Sequence, residues 1–371
     1  MSRPKIIVAI ALSVALVAGL ALSLIRGGGN GSAAPSAAGD HSQFFGIVQG
    51  IRLDSQDFQQ MARTGVGSDR FLLIWGDVQP KRNGPYNWTP TDTLIGSFAS
   101  HGIQVVPDLW RSPPWVAGPL VQPPIDRPED LKAWQSFLKA AVERYGPGGT
   151  YWSTVYKQKY GADATPLPVH SWQIWNEPNL TKYFAPGPSP TRYAKLLKVS
   201  HDTIKGQDPN AQIILAGMPG YGDVNAWNFL DGLYSVPGIE DDFDAVALHP
   251  YAPDIKHLQL EIERVRQVME KHGDQETPLW ITEIGWGSAP PDRFGINQGL
   301  KGQNTMLKNS FGLILGHQKE WRVGRLFWFD WRDPSKTGVV KCSFCASAGL
   351  LRYNRTPKPA YQTFKFYANQ G

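Results

Sequence analysis

Val169-His170-Ser171-Trp172-Gln173-Ile174-Trp175-Asn176-Glu177-Pro178 runs apolar and strand-like to Trp175, then delivers a glutamate among aromatic rings. Leu279-Trp280-Ile281-Thr282-Glu283-Ile284-Gly285-Trp286 repeats the arrangement. Short, near-continuous apolar runs of this kind are what parallel strands need when both faces are buried. The two glutamates lie so far apart in the chain that only a fold can bring them together.

Working outward, similar runs occupy Phe44–Gln49, Arg70–Trp75, Gln104–Leu109, Gln212–Ala216, Ala245–His249 and Leu326–Trp331. Between them lie amphipathic stretches, Leu131–Arg144, Thr191–Lys205, Leu258–Lys271 and Gln303–Leu315. Glu129 and Asp130 precede the first of these, where acidic groups complement a helix dipole. Eight strand-then-helix units predict an α/β fold, a (β/α)8 TIM barrel over residues 44–371 enlarged by insertions. A doubly wound open sheet is the alternative. No Gly-rich phosphate loop follows the first strand, which speaks against its nucleotide-binding form.

In a barrel the strand C-termini open on one face, where active sites sit. Glu177 would end the fourth strand and Glu283 the seventh, so both carboxyls would meet there. The same face should collect Trp75, Trp110, His249, Tyr251, Trp328 and Trp331. Cleaving a glycosidic bond needs two such carboxyl groups, one held protonated and one ionised. Tryptophan rings suit the apolar faces of sugars. The pair therefore reads as a sugar-cleaving site.

With these motifs in order, the chain resembles the clan of retaining (β/α)8 glycoside hydrolases, which includes β-xylosidases, β-glucanases, β-galactosidases and α-L-iduronidases. The resemblance spans the barrel from about Phe44 to the C-terminus. It rests on Asn176-Glu177 ending strand four, Glu283 ending strand seven and His249-Pro250-Tyr251 after strand six. Arg70 on strand two and Phe327-Trp328-Phe329-Asp330-Trp331 on strand eight add to it. The nearest branch is the β-xylosidase and exopolysaccharide-hydrolase one. The resemblance implies Glu177 as acid/base and Glu283 as nucleophile.

The residues themselves agree. Asn176 is placed to bond a sugar hydroxyl, with a strand-end structural role as its alternative. Arg70 and Tyr251 can hold Glu283 charged and oriented, since a cation and a hydroxyl both favour a carboxylate. A structural ion pair for Arg70 and a packed imidazole for His249 are the bland readings. Trp331 is preferred to Trp328 as a sugar platform, and Trp110, Trp115 and Trp286 are candidate subsite walls or loop packing. Asp241, Asp242, Glu261 and Glu263 read as solvated charges, and Asp54, Asp330, Arg332 and Asp333 as polar rim. No cofactor or metal is called for.

The balance of 42% hydrophobic and 19% charged residues is ordinary for a globular chain, and the net charge of +5 forms no dense basic run. Nucleic acid is therefore not an expected partner. Residues 1–5 carry Arg3 and Lys5, and residues 6–25 carry neither charge nor proline, enough to span the ~30 Å bilayer core. The positive flank predicts a cytoplasmic N-terminus and a single-pass signal anchor at the cell membrane, with the rest of the chain outside. A cleaved signal peptide, and hence a secreted protein, is the competing reading. Residues 26–43 form a Gly/Ala/Ser-rich tether.

The only cysteines, Cys342 and Cys345, are too few for a zinc site. In an exported chain they are expected to form a local disulfide, a redox pair being the remote option. The expectation is a monomeric hydrolase of oligo- or polysaccharide. A transglycosidase that remodels surface glycan, or a catalytically silent polysaccharide-binding barrel, are the rivals.

Overall fold

The computed structural model describes residues 43–116, 118–334, 342 and 344–370. The expected anchor over 6–25 and the tether up to residue 42 lie outside the described residues. Among these, no helix is long and apolar enough to cross a membrane.

In chain order the elements are β1 (Phe45–Val48), α1 (Ser55–Thr64), β2 (Ser68–Ile74), α2 (Trp75–Val78), α3 (Thr89–Ala99) and β3 (Gln104–Trp110). Then come α4 (Pro128–Tyr145), α5 (Lys157–Tyr160), β4 (Ser171–Ile174), α6 (Pro190–Lys205), β5 (Gln212–Ile214) and β6 (Met218–Pro219). The remainder is α7 (Ala226–Tyr234), β7 (Val246–His249), α8 (Ile255–Lys271), β8 (Leu279–Ile284), α9 (Gly299–Gly316), β9 (Val323–Phe329) and α10 (Pro359–Ala368). Local chemistry sets several starts and stops. Asp54 caps α1 in a reciprocal box with Asp57, and Gly65 ends that helix at φ 92°, a left-handed conformation. Ser189 and Asp254 cap α6 and α8 through their side-chain oxygens.

The strands form one all-parallel sheet, in the order β5-β4-β3-β2-β1-β9-β8-β7-β6. A parallel bridge between Ile214 and Ala245 brings its two ends together, so the sheet curls in the manner of a TIM barrel. The sequence predicts eight runs, whereas the sheet has nine strands. The run expected over 212–216 stops at Ile214, and β6 follows after Gly217. Glycine is required there, because a Cβ would overlap the His249 ring and the Thr282 hydroxyl. The last strand is also displaced from the expected 326–331 and ends at Phe329.

Alternation along each strand divides the core. Ile47, Leu73, Leu109, Trp172, Ile281 and Trp328 belong to the layer between sheet and helices. Val48, Val106, Ile214, Ala247, Phe327 and Phe329 fill the interior of the curl. Gly46 leaves room for the inward Phe327 ring, a small-against-large fit that suits a narrow barrel.

Candidate active site

Above the apolar interior lies a polar layer centred on Arg70, buried on β2. Strand register puts Asp108 of β3 beside Gln173 of β4, and Asp108 beside Leu72 of β2. Arg70, on the same face as Leu72, reaches up to them. Its guanidinium donates to Asp108 Oδ2 at 2.7 Å, to Asn176 Oδ1 at 2.8 Å and to Glu283 Oε1 at 2.7 Å. Its Nε donates to Gln173 at 2.5 Å. Bonds to charged acceptors of this length are the strong class. A buried arginine with four acceptors is locked in place.

Glu177 is aimed by the chain just past β4. Trp175 (φ 70°) and Glu177 (φ 46°) are both left-handed, which non-glycine residues seldom adopt and which costs on the order of 1–3 kcal/mol each. Partners hold the turn: Trp175 Nε1 donates to the Tyr183 carbonyl at 2.8 Å, and the Glu177 amide donates to the Gly217 carbonyl at 3.1 Å. The Trp175 ring goes into the helix layer, 6.4 Å from Trp134. Glu283 sits within β8, where the pairing with β9 slips register between Ile281 and Ile284. Such a slip lets adjacent residues share a face. Thr282 faces Gln173 at 3.4 Å while Glu283 meets Arg70.

The two carboxyls are treated differently. Glu283 receives Arg70 on one oxygen and the Tyr251 hydroxyl on the other, at 2.7 Å each. Glu177 has His249 Nδ1 at 2.9 Å from Oε1, and its Oε2 has no hydrogen-bond partner among the described residues. His249 lies between them, its Nε2 3.8 Å from Glu283. One donor atom from each of Glu177, His249 and Glu283 falls within 4.8 Å of the others. Burial pushes the Glu177 carboxyl well above its ordinary range, and the charge of Glu283 pushes it further. Burial also raises Glu283, but Arg70 and the Tyr251 hydrogen bond pull it back. Burial, then Arg70, hold His249 well below the usual imidazole range, so it is neutral. The Arg70 cation and the Tyr251 hydroxyl donor thus favour the ionised form of Glu283, whereas neither bonds to Glu177. The Arg70 charge already faces Glu283 and opposes a divalent ion bridging this triad. In the second such group, His201, Asp202 and Asp242, Lys198 supplies the cation.

Glu177, Glu283, Asn176, His249 and Tyr251 thus converge as their strand positions predict, and Arg70 joins them from within β2. Four of the expected tryptophan platforms do not. Trp75, Trp286, Trp328 and Trp331 are fully buried in the helix-facing layer. Their indole N–H groups are satisfied by Gln79, Ala252, Ala348 and Asp57 respectively. For Trp328 the reason is alternation: Phe327 and Phe329 take the inward positions, so the ring between them must point out. Trp110 differs. It is also buried, but its Nε1 has no hydrogen-bond partner among the described residues, and its ring lies under Arg111 and against Tyr183.

Residues missed from sequence are Asp108 and Gln173. For Asp108 the available signal was a lone acidic residue in the apolar stretch Val105–Leu109, while Gln173 alternates with Ser171 on one face of β4. Burial, only partly offset by Arg70, raises Asp108 to about 7. Glu261 also departs from its reading as a solvated charge, because burial pushes it up to about 8. Cys342 and Cys345 are joined in a disulfide, as expected.

The description "glycosyl hydrolase catalytic core" fits residues 150–353. A β-xylosidase of Caldicellulosiruptor saccharolyticus is 26% identical over 217 residues, which are 53% of this chain and 41% of that protein. The chain thus spans less than half the length of that curated relative. Among solved structures, a family 39 glycoside hydrolase from Bacteroides cellulosilyticus WH2 superposes with a TM-score of 0.65 at 21% identity, covering 89% of this chain and 64% of that one. A monomeric β-xylosidase from Caulobacter crescentus CB15 gives 0.62 at 18% identity, covering 89% and 69%.

Proposed function

Since the chain belongs to the glycosyl hydrolase catalytic core family, we propose that it hydrolyses β-linked oligo- or polysaccharide outside the cytoplasm by double displacement. We read the curled sheet as a (β/α)8 barrel with its mouth at Glu177 and Glu283. The observation that carries the mechanism is the asymmetry of the pair: Arg70 and Tyr251 both bind Glu283, and neither binds Glu177.

In the first step a Glu283 oxygen attacks the anomeric carbon while Glu177 gives its proton to the departing glycosidic oxygen. A covalent glycosyl–enzyme results. In the second step Glu177, now ionised, takes a proton from water, and that water displaces Glu283. Retaining pairs stand ~5–5.5 Å apart and inverting pairs ~6.5–9.5 Å. The approach of the two carboxyls to within 4.8 Å supports retention. Asn176, fixed through its Oδ1 by Arg70, would offer its amide N–H to a sugar hydroxyl beside the reacting carbon. Neutral His249 would position Glu177. The β-xylosidase relative supports a β-linked pentose as the sugar. Residues 6–25 would anchor a monomer to the membrane through the 26–43 tether.

Azide tests the roles. With an aryl glycoside that needs little protonation, Glu177→Ala should glycosylate and stall, and azide should restart it to give a glycosyl azide of retained configuration. Glu283→Ala should yield the inverted azide. Products the other way round would mean the two roles are exchanged, and wild-type rates in both variants would remove the reading.

A further inference from the structure

We infer that Tyr221 and Glu261 form a subsite beside the catalytic carboxyls that takes a neutral, hydroxyl-bearing sugar. The inference rests on Glu177 acting as acid/base, as proposed above. Tyr221 follows β6, and its ring packs on the interior cluster that contains Tyr251 and Phe329. Glu261 projects from α8 against the backbone at Gly220, where a Cβ would overlap its carboxyl. Glycine at 220 is therefore what lets α8 bring a carboxyl next to Tyr221.

The Tyr221 hydroxyl and Glu261 Oε2 are both shut off from solvent, and neither has a hydrogen-bond partner among the described residues. Buried polar atoms are costly to leave unpaired, so two on neighbouring segments point to a ligand that brings hydroxyls of its own. Tyr221 packs on the cluster that holds Tyr251, the hydroxyl partner of Glu283, which places the pair beside the two carboxyls.

Charge sets the ligand class. Burial pushes Glu261 up to about 8, only partly offset by Arg264 on its own helix, and pushes the Tyr221 hydroxyl well above its ordinary value. Both groups are uncharged at neutral pH and offer donors as well as acceptors. Arg264, the cation acting on Glu261, is stacked over the Trp227 ring. A sugar carboxylate would meet carboxyl groups here rather than a cation. Tyr183, Glu177 and Glu283 are the other titratable groups acting on Tyr221.

The test compares the full chain with Tyr221→Phe and Glu261→Gln. The probes are 4-nitrophenyl β-D-xyloside, glucoside, mannoside and galactoside, and the β-1,4-linked tetrasaccharides of the same sugars. Each variant should raise KM for the tetrasaccharide that is turned over about 10-fold, the worth of one hydrogen bond. kcat and aryl-glycoside kinetics should stay unchanged. In the wild type that KM should also rise above about pH 8, where Glu261 ionises, and Glu261→Gln should flatten the rise. Equal losses on both probe types, or none on either, would overturn the subsite. Should Tyr221→Phe melt early, the Glu261→Gln pH profile alone decides. Failure of the wild type on every probe would instead sink the proposed function, and the subsite with it.

Discussion

Arg70 binds Glu283, Asp108, Asn176 and Gln173 at once, so Arg70→Met is the most informative single perturbation. Methionine keeps the apolar stem and removes the guanidinium, leaving two carboxyls buried without their cation. Removing one partner of a buried ion pair costs about 3–5 kcal/mol, because the remaining charge is uncompensated. At ~2–4 °C per kcal/mol in domains of ~150–250 residues, and less in longer ones, the melting temperature should fall on the order of 10 °C. The loss should depend on pH. Asp108, already raised to about 7 by burial, and Glu283, raised by burial and held back by Arg70, would both move further up. A folded carboxyl with a raised pKa holds a proton that the unfolded chain, at ~4, has released. Stability from such a group is present below the unfolded value and lost as pH rises through the folded one, at up to about 1.4 kcal/mol per pH unit. The deficit of Arg70→Met relative to wild type should therefore be larger at pH 8 than at pH 5. Thermal unfolding of both chains at the two pH values reads it directly. A deficit below about 1 kcal/mol, or one equal at both pH values, would refute the reasoning that Arg70 holds buried charges together.

Two further outcomes separate packing from chemistry. Trp331→Phe should lower stability by about 1–3 kcal/mol through lost packing and the lost bond to Asp57, with KM unchanged, since the ring lies on the helix side of the sheet; a raised KM at unchanged melting temperature would return Trp331 to the sugar. Gly217→Ala should drive a methyl into His249 and Thr282, costing about 1–3 kcal/mol and lowering kcat, because His249 holds Glu177; unchanged kinetics would mean that the His249–Glu177 contact is dispensable.

The strands were legible because burial on both faces leaves a plain mark: β4 and β8 read as apolar runs that end or nearly end in a glutamate. His249 and Tyr251 could be placed at the mouth because strand ends all open the same way, whereas Arg70, at the start of its expected run, was singled out by the family resemblance. What stayed hidden was set by single-residue geometry. Whether Trp328 faces the sugar or the helices depends on which of its neighbours takes the inward position. Glu177 points inward because Trp175 and Glu177 both adopt left-handed backbone, and Thr282 and Glu283 share a face because of a register slip; neither has a periodic signature. Asp108 was overlooked because a lone polar residue in an apolar run reads as noise until its strand neighbours are known, and Gln173 because it sits among other polar residues of β4. Glu261 looked solvated because helix periodicity cannot register Gly220 on another segment, where the absence of a side chain opens its seat.

The most direct test of the mechanism is to trap the intermediate. A 2-deoxy-2-fluoro-β-glycosyl fluoride of the accepted sugar should inactivate the chain with time, and peptide mass mapping should find one added fluorosugar on the segment holding Glu283. A label on the segment holding Glu177 would reverse the roles. Full turnover of the good leaving group without any adduct, together with a first-formed product of inverted configuration, would contradict double displacement.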